Sequence, residues 1–149
     1  MPKTLPAPFY HQDVYSNLCG FYACAHFLKG KINEKVFVSK STTFYAEQLK
    51  DAGVAREFCK DLALGGNDPE AVANVLKGEA ERKQAITPGD FDYYTRMVLV
   101  LRTAHFIAVL KGADGTWWNY DSLQDQPAEI PDTNKFLEVD ATREFFVGK

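Results

Sequence analysis

The chain has 149 residues, 46% of them hydrophobic and 25% charged, with 17 Lys and Arg against 20 Asp and Glu for a formal net charge of -3. That is the size of one domain at roughly 150 residues each, able to bury a core without disulfide or metal staples. No basic stripe suited to nucleic acid is present, the longest apolar runs (Met97–Leu101, Phe106–Leu110) fall far short of a membrane span, and Met1–Pro6 lacks the apolar centre of a secretory signal.

The elements follow in chain order. Residues 1–8 carry three prolines and read as an extended lead-in. Residues 18–29 read as a helix, with Ser16 or Asn17 to cap its start and Gly30 to end it. Thr43–Ala63 is a second helical stretch, with Leu49, Val54, Phe58 and Leu62 near one stripe. After the break at Gly65-Gly66-Asn67, Asp68-Pro69 opens a third helix with Val72, Val75 and Leu76 on its apolar side and Gly78 as its stop. The pattern then changes. Asp92–Leu101, His105–Lys111, Thr116–Asp121 and Glu144–Val147 are rich in β-branched and aromatic residues, as strands are. Helices come first and strands later, so residues 1–149 are expected to form one α+β domain, N-terminal helices packed on a C-terminal antiparallel sheet.

The chemistry starts from three cysteines, Cys19, Cys24 and Cys59. No Cys-x-x-Cys pair exists, so neither a zinc site nor a redox motif is expected, and a reducing, cytosol-like compartment fits best. Cys19 sits where a helix begins. Unpaired N–H groups and the positive end of the dipole favour a thiolate there, although cysteine is also a common small core residue. Cys24 is about 140° around the same helix and faces elsewhere. Cys59 falls near a helix end of the wrong polarity. Both read as structural.

A thiol nucleophile needs a base, and the chain offers three histidines. His26 is about 10 Å along the helix from Cys19 and out of reach, a polar residue on a half-buried helix. His11 lies in an irregular segment with only Asp13 to orient it. His105 opens an apolar strand, and Asp121 ends the next one. If Leu110 faces Thr116 across the hairpin, His105 lies directly opposite Asp121, at a separation suited to an imidazole–carboxylate bond. Other loop closures put Asn119 opposite His105 or break the pairing, and a solvated Asp beside a sheet histidine is the plainer reading. Gln12, upstream of the sulfur, could donate to a developing oxyanion beside the Cys19 N–H, or be a surface glutamine. Asn17 could play that part or cap the helix.

Taken together, Gln12, Cys19-Gly20, His105 and Asp121 follow the chain order of papain-like cysteine peptidases. The local text is more specific. Phe9-Tyr10-His11-Gln12, then Asn17-Leu18-Cys19-Gly20-Phe21-Tyr22-Ala23-Cys24-Ala25-His26-Phe27-Leu28, resembles the start of a Josephin domain. His105–Lys111 and Trp117-Trp118-Asn119-Tyr120-Asp121-Ser122-Leu123 are similar to that family's His-aromatic and Trp-aromatic-Asn strands. Pro131-Asp132-Thr133 and Phe145–Lys149 resemble its ending, and Asn67–Leu76 its helix under the sheet.

The resemblance implies a papain-like, Josephin-like fold and a cysteine-type hydrolase. It would be a deubiquitinase that cleaves the amide bond at the ubiquitin C-terminus. Cys19 would be the nucleophile, His105 the base, Asp121 the third member, and Gln12 a donor in the oxyanion hole. No cofactor or metal is implied. The partner would be ubiquitin or a ubiquitin-like protein, and the chain would act as a monomer in the cytoplasm, or in a host cytosol as a secreted effector. Residues 30–66 depart from the family's ubiquitin-gating arm, and two alternatives follow: a glutamine deamidase or acyltransferase on the same triad, or a non-catalytic ubiquitin-binding module. Trp117 and Trp118 face opposite sides of one strand, one expected in the core and the other a candidate floor for the cleft. Asp121–Asp132 reads as an acidic solvated loop, or as a surface for the basic face of ubiquitin.

Overall fold

The computed structural model describes residues 4–11, 19–33, 35–37, 69–101, 105–139 and 144–149. The expectations on Gln12, Asp13, Ser16, Asn17, Thr43–Ala63, Cys59 and Gly65–Asp68 lie outside the described residues. Among the described residues, the helices with both ends defined are α1 (Cys19–Phe27), α2 (Pro69–Val75), α3 (Pro88–Tyr93) and α4 (Thr133–Val139). The strands are β1 (Glu81–Lys83), β2 (Arg96–Val100), β3 (Phe106–Lys111), β4 (Trp117–Tyr120), β5 (Ala128–Ile130) and β6 (Glu144–Gly148). They form one antiparallel sheet in the order β1-β6-β2-β3-β4-β5. The mixed helix-and-sheet class is thus as the sequence implied.

β2, β3 and β6 are buried on both faces, which explains why they read as near-continuous apolar runs rather than alternating ones. One face of the sheet carries Val98, Val100, Phe106 and Phe146 under α1 and α2. The other carries Met97, Leu99, Ile107, Val109 and Trp117, closed over by Phe91 and Tyr94 at α3 and by Phe136 of α4. α1 packs on β3 and β2. Its small residues Gly20, Ala23 and Ala25 are buried and let the helix lie close to the sheet. Its C-terminal Phe27 meets Arg96, which pairs with Leu110 at the far end of β3. Cys19 therefore falls at the other end, where β3 begins.

Lys29 ends α1 in the left-handed region at φ 54, with Gly30 N–H bonded to Ala25 O at 2.8 Å. The terminator thus falls one residue earlier than expected. Gly30 is still favoured as glycine, because its φ of 83 lies in the left-handed region that strains other residues.

Three sequence expectations need correction. The strand expected to begin at Asp92 begins at Arg96, because 88–93 is helical. Thr87-Pro88 starts that helix, and the Asp90 carboxylate accepts the Thr87 N–H at 2.7 Å. The helix expected to be half-buried has most of its residues buried, and His26 on it is wholly enclosed. Its Nε2 accepts the Tyr10 N–H at 2.9 Å, and its ring lies against Phe9, Tyr10 and Tyr120. The third correction concerns the two tryptophans. Trp117 is buried, with its indole N–H donated to Phe91 O, but Trp118 pairs with Leu110 and packs on the small cluster of Ala7, Ala108, Leu110 and Tyr120. That position is five residues along β3 from His105, about 16 Å at strand rise, so Trp118 does not floor a cleft at the histidine.

The lead-in 4–11 is fixed mainly by Tyr120. Its hydroxyl donates to Ala7 O at 2.6 Å and accepts the Ala7 N–H at 3.2 Å. Tyr120→Phe leaves both buried backbone groups without a partner and should cost about 1–3 kcal/mol of unfolding free energy. Urea denaturation reads the loss and hydrogen exchange at the Ala7 amide localises it. Unchanged values for both would mean the hydroxyl does not hold the segment.

Candidate active site

Two hairpins bring the site together. β2 and β3 pair with Arg96 opposite Leu110, and Leu101 N–H bonds His105 O at 2.9 Å, so His105 is tethered to the ladder one residue before β3 begins. β3 and β4 pair with Leu110 opposite Trp118 and Lys111 opposite Trp117. Leu110 therefore faces Trp118 and not Thr116, two positions from the register that would set His105 directly opposite Asp121. Lys111 and Gly112 join the ladder instead of the loop. Gly112 N–H bonds Thr116 O at 2.7 Å, and the tight turn closes at Gly115 with φ 87. In this register Asp121 is level with Ile107, and His105 is level with Leu123.

The two residues still meet, diagonally rather than face to face. His105 Nε2 lies 2.8 Å from Asp121 Oδ1. Asp121 is held by its own turn: the same Oδ1 accepts the Leu123 N–H at 3.1 Å, and Asp121 O accepts the Gln124 N–H. This Asx turn re-aims the carboxylate along the sheet toward the histidine. An Asp followed by Ser122 in a polar stretch was its signal in the sequence. Asn119, the other candidate, is two residues back on β4 opposite Val109, and its Oδ1 is buried without a partner. Asp121, not Asn119, meets the imidazole.

Cys19 supplies the third group. The first residue of α1, it is buried at 6% exposure, and it lies close enough to the His105 side chain to help raise the pKa of that ring. Nε2 is committed to Asp121, which leaves Nδ1 as the ring nitrogen for the sulfur. The pair His105–Asp121 is half-buried, with side-chain exposures of 17% and 19%. Burial works against a charge on the ring, but hydrogen bonding to Asp121 and Cys19, together with the Asp121 charge beside it, outweighs this and holds His105 at about 9 against its ordinary 6.5. Burial likewise pushes the Asp121 carboxyl up, and the His105 and Leu123 bonds more than reverse this, so it stays below the ordinary carboxylate range.

The other histidines stand apart. Burial pushes His26 down to about 4, so it is neutral with its proton on Nδ1, and it serves as a core acceptor. His11 is exposed and faces Asp125 at 3.9 Å. Among the described residues, no group of three or more His, Cys, Asp and Glu is placed to hold a metal ion, and no helix is long and apolar enough to cross a membrane. A sulfur, an imidazole and a carboxylate in one line can move a proton from the thiol and return it to a leaving group, which is the requirement of nucleophilic acyl transfer. Comparison of the sequence with models of protein families gave no match, and a search of curated proteins gave none either.

Two pH effects follow from the histidines. His26 is depressed in the fold, so its contribution to stability is present above about pH 6.5 and is lost as pH falls toward 4. His105 is raised, so its contribution is present below 6.5 and is lost as pH rises toward 9. Unfolding free energy from urea titrations should therefore peak near neutrality and decline on both sides. In a second measurement, NMR titration of Asp121→Ala should move the His105 pKa down from about 9 toward the ordinary value, with His26 unmoved. A His105 pKa that stays put would remove Asp121 from its role.

Proposed function

We propose that the protein is a thiol-dependent deubiquitinase of papain-like, Josephin type, which hydrolyses the amide bond at the C-terminus of ubiquitin or a ubiquitin-like protein. The observation that carries this reading is the single imidazole of His105, bonded to Asp121 at 2.8 Å and close to Cys19 at the start of α1. It is supported by the two sequence blocks around Cys19 and around His105 to Leu123 that resemble the Josephin family.

The proton of Cys19 resides on the His105 ring, and the sulfur attacks the scissile carbonyl carbon as the thiolate. The carbonyl electron pair moves to oxygen, where the Cys19 N–H and the Gln12 amide stabilise it. Collapse expels the substrate amine, which takes the proton back from His105, and leaves a thioester. Water, deprotonated by His105, attacks the thioester and releases the carboxylate and the free thiol. Asp121 stays ionised and fixes the ring orientation through Nε2. No cofactor takes part.

A second reading rests on residues 30–66, which depart from the family's ubiquitin-gating arm. On a glutamine side chain the same sulfur and imidazole would release ammonia instead of a lysine amine, giving a deamidase or, with an amine acceptor, an acyltransferase. A non-catalytic ubiquitin-binding module is disfavoured by the intact line of three groups.

Incubation with ubiquitin bearing a C-terminal electrophile should give one covalent adduct on Cys19, absent in Cys19→Ala. His105→Ala should slow it by at least about 100-fold, the scale of general acid–base assistance. No adduct on the wild-type chain, or an adduct that survives Cys19→Ala, ends the deubiquitinase reading. Mass increases of about 1 Da on a glutamine of an intact substrate, with no chain cleavage, would put the deamidase in its place.

A further inference from the structure

Basic residues far apart in the sequence converge at the end of the sheet remote from Cys19. A cleft of about 360 Å³ is lined by Leu28, Lys29, Lys31, Glu79, Arg96 and Lys149, with Thr95 at its wall. Four cationic side chains meet one carboxylate side chain there, in a chain whose formal net charge is -3. Read along the chain, Lys29, Lys31, Arg96 and Lys149 form no stripe, so only folding makes the cluster.

Arg96 is the fixed point. Its Nη1 donates to Phe27 O at 2.9 Å, its guanidinium lies 4.4 Å over the Phe27 ring, and Nη2 reaches Glu79 at a long 3.4 Å. Its Nε is buried and has no acceptor. The Phe27 contact is explained by the carbonyls left without helical partners at the end of α1. The lysines around it are not. Lys29 and Lys31 are exposed and enter no ion pair of the described residues, and Lys149 meets only the Tyr93 ring, at 3.8 Å. Uncompensated like charges around one cleft repel one another, a cost that a multivalent anion would remove.

We propose that this cleft binds a polyphosphorylated anion, as a free small molecule or as the headgroup of a lipid. Phosphate oxygens would accept from the ammonium groups of Lys29, Lys31 and Lys149, with the guanidinium charge of Arg96 at the cleft wall behind them. The volume lies at the lower end of the range for small-molecule sites, roughly 300–1,000 Å³, and exceeds what one phosphate fills, which is why several phosphates are specified. The nine residues of α1 separate the cleft from Cys19, so the site is independent of the proposed hydrolase reading.

Isothermal titration of the whole chain with sodium tripolyphosphate tests it. Binding should weaken at least about tenfold in Lys31→Glu and stay within about twofold in Lys135→Glu, an equal charge change on α4. Both positions are exposed, so neither variant threatens the core. A parallel flotation assay uses phosphatidylcholine vesicles with and without a phosphatidylinositol bisphosphate. Lys31-sensitive binding to tripolyphosphate assigns a soluble ligand, and Lys31-sensitive binding only to the phosphoinositide vesicles assigns a lipid headgroup; either supports the proposal. No binding in either assay, or equal weakening by Lys31→Glu and Lys135→Glu, overturns it.

Discussion

The placement of α1 along β3 is the constraint on which the site depends. A helix and a strand laid side by side share only one relative position once their residues interlock. Here the small residues of α1 allow close approach, and Phe27 against Arg96 sets the far end. The sulfur then has one place to be, over the start of β3, where the β2–β3 hairpin presents His105. The proposed chemistry is thus a by-product of core packing. None of the three groups needs a loop to close for the line Cys19–His105–Asp121 to exist.

Much of this was legible because its signals are local. Pro69 at the first turn of α2, the apolar runs of β2, β3 and β6, and the cysteine at the start of α1 are properties of short windows. The Cys19, His105 and Asp121 set was legible through residue order and family resemblance rather than through register. The register stays open in the sequence because it depends on which residues of 111–116 belong to the turn, and that is decided by Gly115 adopting a positive φ. The dyad forms all the same, because a shift of two from direct opposition keeps a side chain on its face, whereas a shift of one would remove it.

What the sequence hid was mostly non-local or short. The three-residue strands β1 and β5 have no periodicity to read. The helix at 88–93 did have a signal, Thr87-Pro88 with Asp90 after it, which the aromatic content of 91–94 obscured. Enclosure of His26 could not be inferred from α1 alone, since the ring is covered by Phe9, Tyr10 and Tyr120 from two other parts of the chain. The two histidines show how far environment outweighs residue type. One is held neutral by its aromatic shell, and the other is held cationic by a carboxylate and a sulfur.

The rims of the sheet carry a consequence for how copies of this chain meet. β1 exposes Glu81 and Arg82, and β5 is a bare three residues between Pro127 and Pro131. Proline has no amide hydrogen to offer, and charge on a short outer strand discourages a neighbour from zipping on. The long apolar strands all lie inside, paired on both sides. A molecule rich in β-branched and aromatic runs is thereby kept from polymerising through its own backbone, with the hazard sealed in the middle and the guard duty left to its least conspicuous segments.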